Sequence, residues 1–122
     1  WHMNTKLTTR DKRILQSVKE MIEKDFKNRV NVRMLELKFG MNENKLRNGF
    51  RQEFGITIAG YQAQQQLCYA LELLKNQDYT IQEAALRAGF RDISTFNRRF
   101  RRKFFMTPTE WRQQYGVIQN SR

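Results

Sequence analysis

Two short sets of residues in this chain combine side chains that could hydrogen-bond the edges of nucleic-acid bases. They are Asn44, Arg47 and Asn48 in the first half and, 50 positions later, Ser94, Asn97 and Arg98 in the second. In the major groove of DNA, arginine can pair with O6 and N7 of guanine, and asparagine with N6 and N7 of adenine. The same chemistry is therefore offered twice along one chain.

The residues that must position these sets are repeated as well. The positions Leu46, Phe50, Phe54, Thr57 and Tyr61 recur 50 positions later as Phe96, Phe100, Phe104, Thr107 and Trp111. Gly40 recurs 49 positions later as Gly89. Each repeat has the order short helix, glycine-containing turn, longer helix, which is the order of a helix-turn-helix. We therefore predict two similar units in tandem.

Helical phasing separates a core face from a polar face in each longer helix. At about 100° per residue, the phenylalanines 96, 100 and 104 fall within about 80° of arc and must face the core. The opposite side presents Ser94, Asn97, Arg98 and Arg101, and the matching residues of the first repeat are Asn44, Arg47, Asn48 and Arg51. An ordinary solvated face would explain one such helix equally well. Two helices in matching register, each after a turn, favour base reading.

Other basic and polar residues around these helices suit contacts with phosphates. They are Lys45, Arg51, Arg91, Thr95, Arg99, Arg101, Arg102 and Lys103. Residues 91 to 103 contain six Lys or Arg and one Asp, for a net charge of +5, whereas residues 43 to 54 contain three and two Glu, for +1. We expect the second unit to supply more phosphate binding and the first to contribute more through base contacts.

The predicted fold class is all-α, with seven helices forming two helix-turn-helix subdomains joined by a long linker helix. The predicted divisions are residues 1–6 as a cloning remnant and disordered start, 7–56 and 78–119 as the subdomains, 57–77 as the linker helix, and 120–122 as a frayed tail. The first helix is expected at about 9 to 27, and the last is expected to end near Gln119. Thr80–Glu83 and Thr107–Glu110 have the form of capping boxes, which begin the fifth and seventh helices.

Composition narrows the class of partner and makes an enzyme unexpected. The net charge of +11 over 122 residues indicates an anionic partner. The sole histidine is His2, and the chain shows no metal-spaced cluster, phosphate loop or nucleophile–base pair, so neither a catalytic site nor a metal or other cofactor is expected. Cys68 lies in an apolar helical pattern and is expected to be buried. No apolar run approaches the ~20 residues that cross a bilayer, so no membrane partner is expected.

Residues 81 to 112 resemble the signature of the AraC/XylS family of bacterial transcription regulators, and a weaker resemblance extends over about residues 7 to 116. The matching positions are Ala85, Gly89-Phe90, Phe96, Phe100, Thr107-Pro108 and Trp111-Arg112, with Gly40-Met41, Leu46, Phe50, Phe54-Gly55 and Tyr61 in the first half. The resemblance implies a seven-helix domain that inserts two helix-turn-helix units into successive major-groove segments of double-stranded DNA. It also implies contact with RNA polymerase and a cytoplasmic, nucleoid-associated location in bacteria.

The family's base-contact positions fall on Asn44, Arg47 and Asn48 and on Ile93, Ser94, Asn97 and Arg98. Isoleucine could make only an apolar contact there, for example with a thymine methyl group. Three residues depart from the family pattern, namely Glu36 in place of Ala, Gln66 in place of Arg and Phe105 in place of Gly. At Phe105 the turn must avoid a left-handed residue or accept strain. Any dimerisation is expected through an N-terminal part absent from this sequence.

Two other functions remain open at this stage. A nonspecific nucleic-acid binder, of RNA included, would also be basic, although RNA modules usually offer aromatics for base stacking and the aromatics here fall on the core face. A protein or membrane interaction module would need the apolar faces of its helices free, and those faces are needed for the core. Both alternatives therefore fit the repeat less well than sequence-specific DNA binding.

Overall fold

The computed structural model describes residues 6 to 116, and its regular elements are all helical. The order is α1 (Thr9–Lys24), α2 (Val32–Phe39), α3 (Glu43–Phe54), α4 (Ile58–Leu74), α5 (Ile81–Arg87), α6 (Ile93–Phe104) and α7 (Pro108–Trp111), followed by a π-helical turn (Arg112–Gly116). The chain divides into two compact units, Trp1–Ala63 and Gln64–Arg122, and the division falls inside α4. The prediction of an all-α chain with seven helices is confirmed within the described residues.

Side-chain caps begin these helices. Thr8, Thr80 and Thr107 each form a capping box, in which the hydroxyl accepts a backbone N–H three residues later and that residue's carboxylate accepts the N–H of the threonine. The side chains of Asn31, Asn42 and Asp92 cap α2, α3 and α6 in the simpler way. Because each cap satisfies N–H groups that the helix itself leaves unpaired, the starting residue of each helix is determined locally.

The first unit buries one row of α1 against α3. Leu15 and Val18 of α1 and Leu46 and Phe50 of α3 are fully buried in the same apolar cluster. Close approach depends on Gly49, because a Cβ added there would lie 3.2 Å from Leu15 Cδ1 and 3.3 Å from Leu7 Cδ2. The glycine thus removes the bulk that would push α1 away from α3.

The second unit builds a comparable core from different side chains. The buried row of α1, Leu15, Val18 and Ile22, recurs 52 positions later as Leu67, Ala70 and Leu74 of α4. Phe96 and Phe100 of α6 are fully buried, and their ring centroids lie 5.6 Å apart. Three buried alanines on and just after α5, at 84, 85 and 88, leave room for these rings. Small residues on α5 and large ones on α6 therefore fill one layer together.

Several sequence-based boundaries need correction. Helices α1 and α4 end at Lys24 and Leu74, each three residues before the predicted end. Cys68 is exposed and not buried, because it lies one residue, about 100° around the helix, beyond the buried Leu67. The predicted end of α7 at Gln119, residues 1–5 and the tail at 120–122 lie outside the described residues. Within residues 6 to 116, no helix is long and apolar enough to cross a membrane.

Candidate nucleic-acid interface

The polar face of α3 is exposed as its phasing predicts. Asn44, Arg47, Asn48 and Arg51 are all exposed, whereas Leu46 and Phe50 on the opposite side are fully buried. The helix therefore offers two amides and two guanidinium groups on one accessible face, which is the chemistry that base edges in a major groove require.

Two of the three basic residues of α3 are paired with carboxylates. Lys45 Nζ lies 3.0 Å from Oδ2 of Asp11 on α1. Arg47 Nη2 lies 3.0 Å from Oε2 of Glu43, one turn earlier on the same helix, and its Nε donates to the same oxygen at 3.1 Å. Lys45 is half-buried as a result of its packing near α1. The positive charge of this helix is thus largely balanced within the first unit.

The polar face of α6 repeats the arrangement in the second unit. Ser94, Asn97, Arg98 and Arg101 are exposed. Ile93, the first residue of the helix, is 38% exposed, so part of its side chain is accessible for an apolar contact. The structure therefore brings the predicted base-contact residues of this unit to one accessible helix face and its first turn.

The basic residues in and just before α6 differ from those of α3 because none of them forms an ion pair, although the Asp92 carboxylate interacts electrostatically with Arg98. Arg91, Arg98, Arg99, Arg101, Arg102 and Lys103 are all exposed. Among residues 6 to 116, no carboxylate lies within the 4.0 Å ion-pair distance of any of their charged groups. Helix α6 contains five basic residues and no acidic one. This helix therefore presents an uncompensated positive field, which attracts phosphates.

Thr95 already uses its hydrogen-bond donors inside the protein. Its backbone N–H donates to Asp92 Oδ1 at 2.7 Å, and its hydroxyl donates to Asp92 Oδ2 at 3.1 Å. These bonds, the backbone one first, lower the pKa of the Asp92 carboxyl. A phosphate contact through the Thr95 hydroxyl therefore requires that the hydroxyl give up its bond to Asp92.

The turns that precede α3 and α6 both contain a glycine with positive φ. Gly40 follows α2 with φ 72°, and Gly89 follows α5 with φ 102°. A residue without a Cβ adopts these angles at little cost. Ala85, inside α5, is buried, whereas Glu36 at the matching place in α2 is half-buried. The departure at Glu36 is thus accommodated by partial exposure of its side chain.

Two residues beside the first unit's face were missed by sequence reasoning. Arg29 and Arg33 line a polar cleft of about 370 Å³ together with Glu43, Arg47 and the N-terminal residues of α2. The signal in the sequence is their position on either side of Asn31, the N-cap of α2, since a helix N-terminus favours anions. Their basic charge adds to the face from the loop before α2 and from its first turn. Within the described part of the chain, no group of three or more His, Cys, Asp or Glu side chains could hold a metal ion.

Comparison with known families and proteins identifies relatives over more than half of this chain. A family model described as a helix-turn-helix domain matches residues 35–114. The transcriptional activator RhaR of Cronobacter sakazakii is 42% identical over 76 residues, which is 62% of this chain and 27% of that protein. RhaR of Klebsiella pneumoniae is 39% identical over 75 residues, with coverage of 62% and 27%. The chain thus spans about a quarter of the length of these curated relatives.

Two solved structures share the fold at lower sequence identity. A probable AraC family transcriptional regulator from Rhodopseudomonas palustris superposes with a TM-score of 0.76 at 24% identity, covering 84% of this chain and 97% of that one. The DNA-binding domain of AdpA, solved in complex with a target DNA, gives 0.77 at 24% identity, with coverage of 88% and 97%. At these identities the likeness establishes the seven-helix architecture.

Proposed function

Because the chain belongs to the AraC/XylS family of helix-turn-helix transcription regulators, we propose that it binds double-stranded DNA sequence-specifically through α3 and α6. Each helix enters one major-groove segment, and the two segments are successive along the DNA. One observation carries the proposal, namely that both helices bury an apolar stripe while exposing arginine and small polar side chains on the opposite face. The family consists of regulators, not enzymes, so recognition is the activity to explain.

The base contacts are assigned to the residues that can reach out from these two faces. They are Asn44, Arg47 and Asn48 in the first unit and Ile93, Ser94, Asn97 and Arg98 in the second. Arginine suits guanine, asparagine suits adenine, and the half-exposed isoleucine suits a thymine methyl group. Amides and hydroxyls add no net charge, so they contribute preference for a sequence more than affinity for any DNA.

Phosphate binding is assigned mainly to the second unit. Its residues are Arg91, Thr95, Arg99, Arg101, Arg102 and Lys103, with Lys45 and Arg51 from the first unit. Since none of the cations of α6 forms an ion pair with a carboxylate of the described chain, they can approach phosphates without first breaking such a pair. Lys45 and Arg47 must share their charge with Asp11 and Glu43.

The consequence for the cell is inferred from the relatives. The RhaR relatives are named transcriptional activators, and we propose that this protein likewise activates transcription by contacting RNA polymerase while bound at a promoter in the bacterial nucleoid. Those relatives are much longer than the matched segment. We propose that any dimerisation uses a region outside the matched segment.

Selection of bound duplexes from a random pool at moderate salt tests sequence-specific binding directly. We expect enrichment of an asymmetric site with two contacted segments about 10 base pairs apart, one turn of DNA. Affinity for the selected site should fall with salt, by a factor that grows with the number of phosphate contacts. A steep salt dependence with no enriched sequence would instead indicate the nonspecific binder and would contradict the proposal.

The division of roles between the units is tested by Arg98→Ala and Asn48→Ala. Arg98→Ala removes a charge as well as a base contact, so it should weaken binding to both selected and random duplexes. Asn48→Ala should weaken binding to the selected duplex alone, by about 1–3 kcal/mol for one good base contact. Equal effects of the two changes on both DNAs would contradict the assigned division.

A further inference from the structure

The pair formed by Glu43 and Arg47 has a geometry that leaves the reading edge of the arginine open. Glu43 Oε2 accepts from Arg47 Nε at 3.1 Å and lies 3.0 Å from Nη2. Both contacts lie on one side of the guanidinium, so Nη1 and the outer hydrogen of Nη2 have no partner in this pair. Donors at that outer edge are the ones that can pair with O6 and N7 of guanine together.

We propose that Glu43 is a positioning residue for base recognition in the first unit. It holds the Arg47 guanidinium in one orientation, which strengthens the preference for guanine. Its carboxylate also repels phosphates, which weakens binding to every DNA sequence. This inference rests on the proposed function, because it concerns how Arg47 selects a base.

Two physical effects of opposite sign follow from this placement. A guanidinium that is already oriented loses less side-chain freedom when it docks on a base, so the matched sequence gains affinity relative to others. A carboxylate next to the groove adds unfavourable electrostatic energy against the phosphates of all sequences. Glu43 should therefore raise discrimination and lower nonspecific affinity together, a combination that a purely structural residue would not produce.

A role in fold stability does not explain the pair. The side chains are 46% and 52% exposed, and exposed ion pairs one turn apart on a helix stabilise a protein little. In the second unit Ile93 occupies the position 50 residues after Glu43, α6 contains no acidic residue, and the Asp92 carboxylate before α6 accepts hydrogen bonds from Thr95. Within the described residues, a carboxylate that is hydrogen-bonded to a base-contact arginine is thus found in the first unit alone.

The chain offers a matched control for a test with Glu43→Gln. Glu53 is the other acidic residue of α3, is exposed, and lies at the opposite end of the helix from Glu43. Glu53→Gln therefore removes the same charge from the same helix without releasing Arg47. Glu43→Asp keeps the charge at the start of α3 but shortens the side chain by one methylene. It therefore distinguishes the loss of the contact with Arg47 from the loss of the negative charge. Thermal melting of each variant verifies that the fold is retained.

The readout is affinity for the selected duplex, for variants of its base pairs, and for random duplex. Arg47→Ala locates the base pair that Arg47 reads. Both Gln variants should bind random duplex about twofold more tightly, because each loses one repulsive charge. Only Glu43→Gln should reduce the preference for guanine at the base pair that Arg47 contacts, by about threefold. This is less than the full discrimination of a bidentate contact, because Arg47 itself remains. Glu43→Asp should reduce that preference without tighter binding to random duplex.

The outcomes separate this inference from the proposed function. If Glu43→Gln and Glu53→Gln leave the same preference as the wild-type protein, Glu43 does not position Arg47 and the inference is overturned while sequence-specific binding stands. An increased preference in Glu43→Gln overturns it as well. If the wild-type protein shows no sequence preference at all, the proposed function fails, and the inference fails with it.

Discussion

At one position of the repeat, the two units use different side chains to bind backbone carbonyls near the end of a helix. In the first unit, the Gln62 amide donates to the carbonyls of Phe26, at 3.0 Å, and Asn28, and its oxygen accepts from Val30 N–H at 3.2 Å. Fifty positions later, Arg112 Nε donates to Leu74 O at 3.1 Å and its Nη2 to Asn76 O at 3.2 Å. The two residues at this repeat position therefore differ in type but make the same kind of contact, a hydrogen bond to backbone carbonyls near a helix end.

The units also end their polar helices with the same backbone conformation but with unequal residues. Gly55 has φ 75° and its N–H bonds Arg51 O at 2.7 Å, and Phe105 has φ 64° and its N–H bonds Arg101 O at 2.8 Å. Phe105 is the one residue other than glycine with positive φ in the described chain, and its side chain is 87% exposed. The helix end thus requires a left-handed residue, and the second unit accepts the strain that its sequence implied.

Charge is the third difference, and it bears on function. The cations of α3 mostly form ion pairs with carboxylates, whereas those of α6 form none with the residues between 6 and 116. Paired charge gives orientation, and unpaired charge gives attraction at a distance. Under the proposed function, the two units are thus suited to different parts of DNA recognition.

The largest expected effect on stability comes from truncating Gln62 and Arg112, which bind backbone groups near the helix ends. Gln62 is buried and satisfies three backbone groups, so Gln62→Ala should destabilise the protein by about 1–3 kcal/mol for each group left without a partner. Arg112→Ala should cost less, because it releases two carbonyls and one of its bonds is exposed. Urea unfolding measures both, with Gln113→Ala, an exposed neighbour, as control. Similar stability of Gln62→Ala and the control would contradict the proposed equivalence of the two positions.

The same two side chains explain which helix boundaries could be predicted from sequence. The starts were predictable because threonine, asparagine and aspartate caps act within three residues. The ends of α1 and α4 were overestimated because each is followed or ended by carbonyls that bond to a distant side chain. Gln62 binds the carbonyls of Phe26 and Asn28, just after α1, and Arg112 binds that of Leu74, the last residue of α4; both partners lie more than 30 positions away in the chain. Local helical periodicity contains no information about such a partner.

The candidate site was predictable to a similar extent. Phasing at about 100° per residue was enough to separate the buried phenylalanines from the exposed arginines and amides. The pair between Lys45 and Asp11 was not foreseen, because it depends on the packing of α1 against α3. The pair between Glu43 and Arg47 has the spacing of a common helical ion pair and could have been found from sequence.

A smaller effect distinguishes the two left-handed helix ends. Gly55→Ala should destabilise the protein by about 1 kcal/mol, because an added Cβ meets no atom within 4 Å and only the backbone is strained. Phe105→Gly should stabilise it by up to about 1 kcal/mol, since relief of strain exceeds the greater freedom of the unfolded chain. Phe105→Ala keeps the strain and serves as the control. If Phe105→Gly lost stability, the exposed ring would be making a contribution larger than the strain.

The smallest expected effect is on the pH dependence of stability and compares Asp11 with Asp92. Backbone hydrogen bonding from Thr8, and then the bond from Lys45, hold the pKa of Asp11 below its ordinary value of 3.8. Because the folded-state pKa is the lower one, the carboxylate stabilises the fold fully above 3.8, and this contribution is lost as pH falls through the folded value. In urea unfolding between about pH 6 and pH 2, the free energy of unfolding should therefore fall less steeply with decreasing pH for Asp11→Asn than for the wild-type protein. Asp92→Asn should reduce the pH dependence as well, because the bond from Thr95 lowers the pKa of that carboxyl.

Lys45→Met tests which partner of Asp11 controls this pH dependence. It should leave most of the dependence in place, because the Thr8 bond remains. A pH dependence as weak as that of Asp11→Asn would show that the pair between α1 and α3, and not the cap, controls this carboxylate.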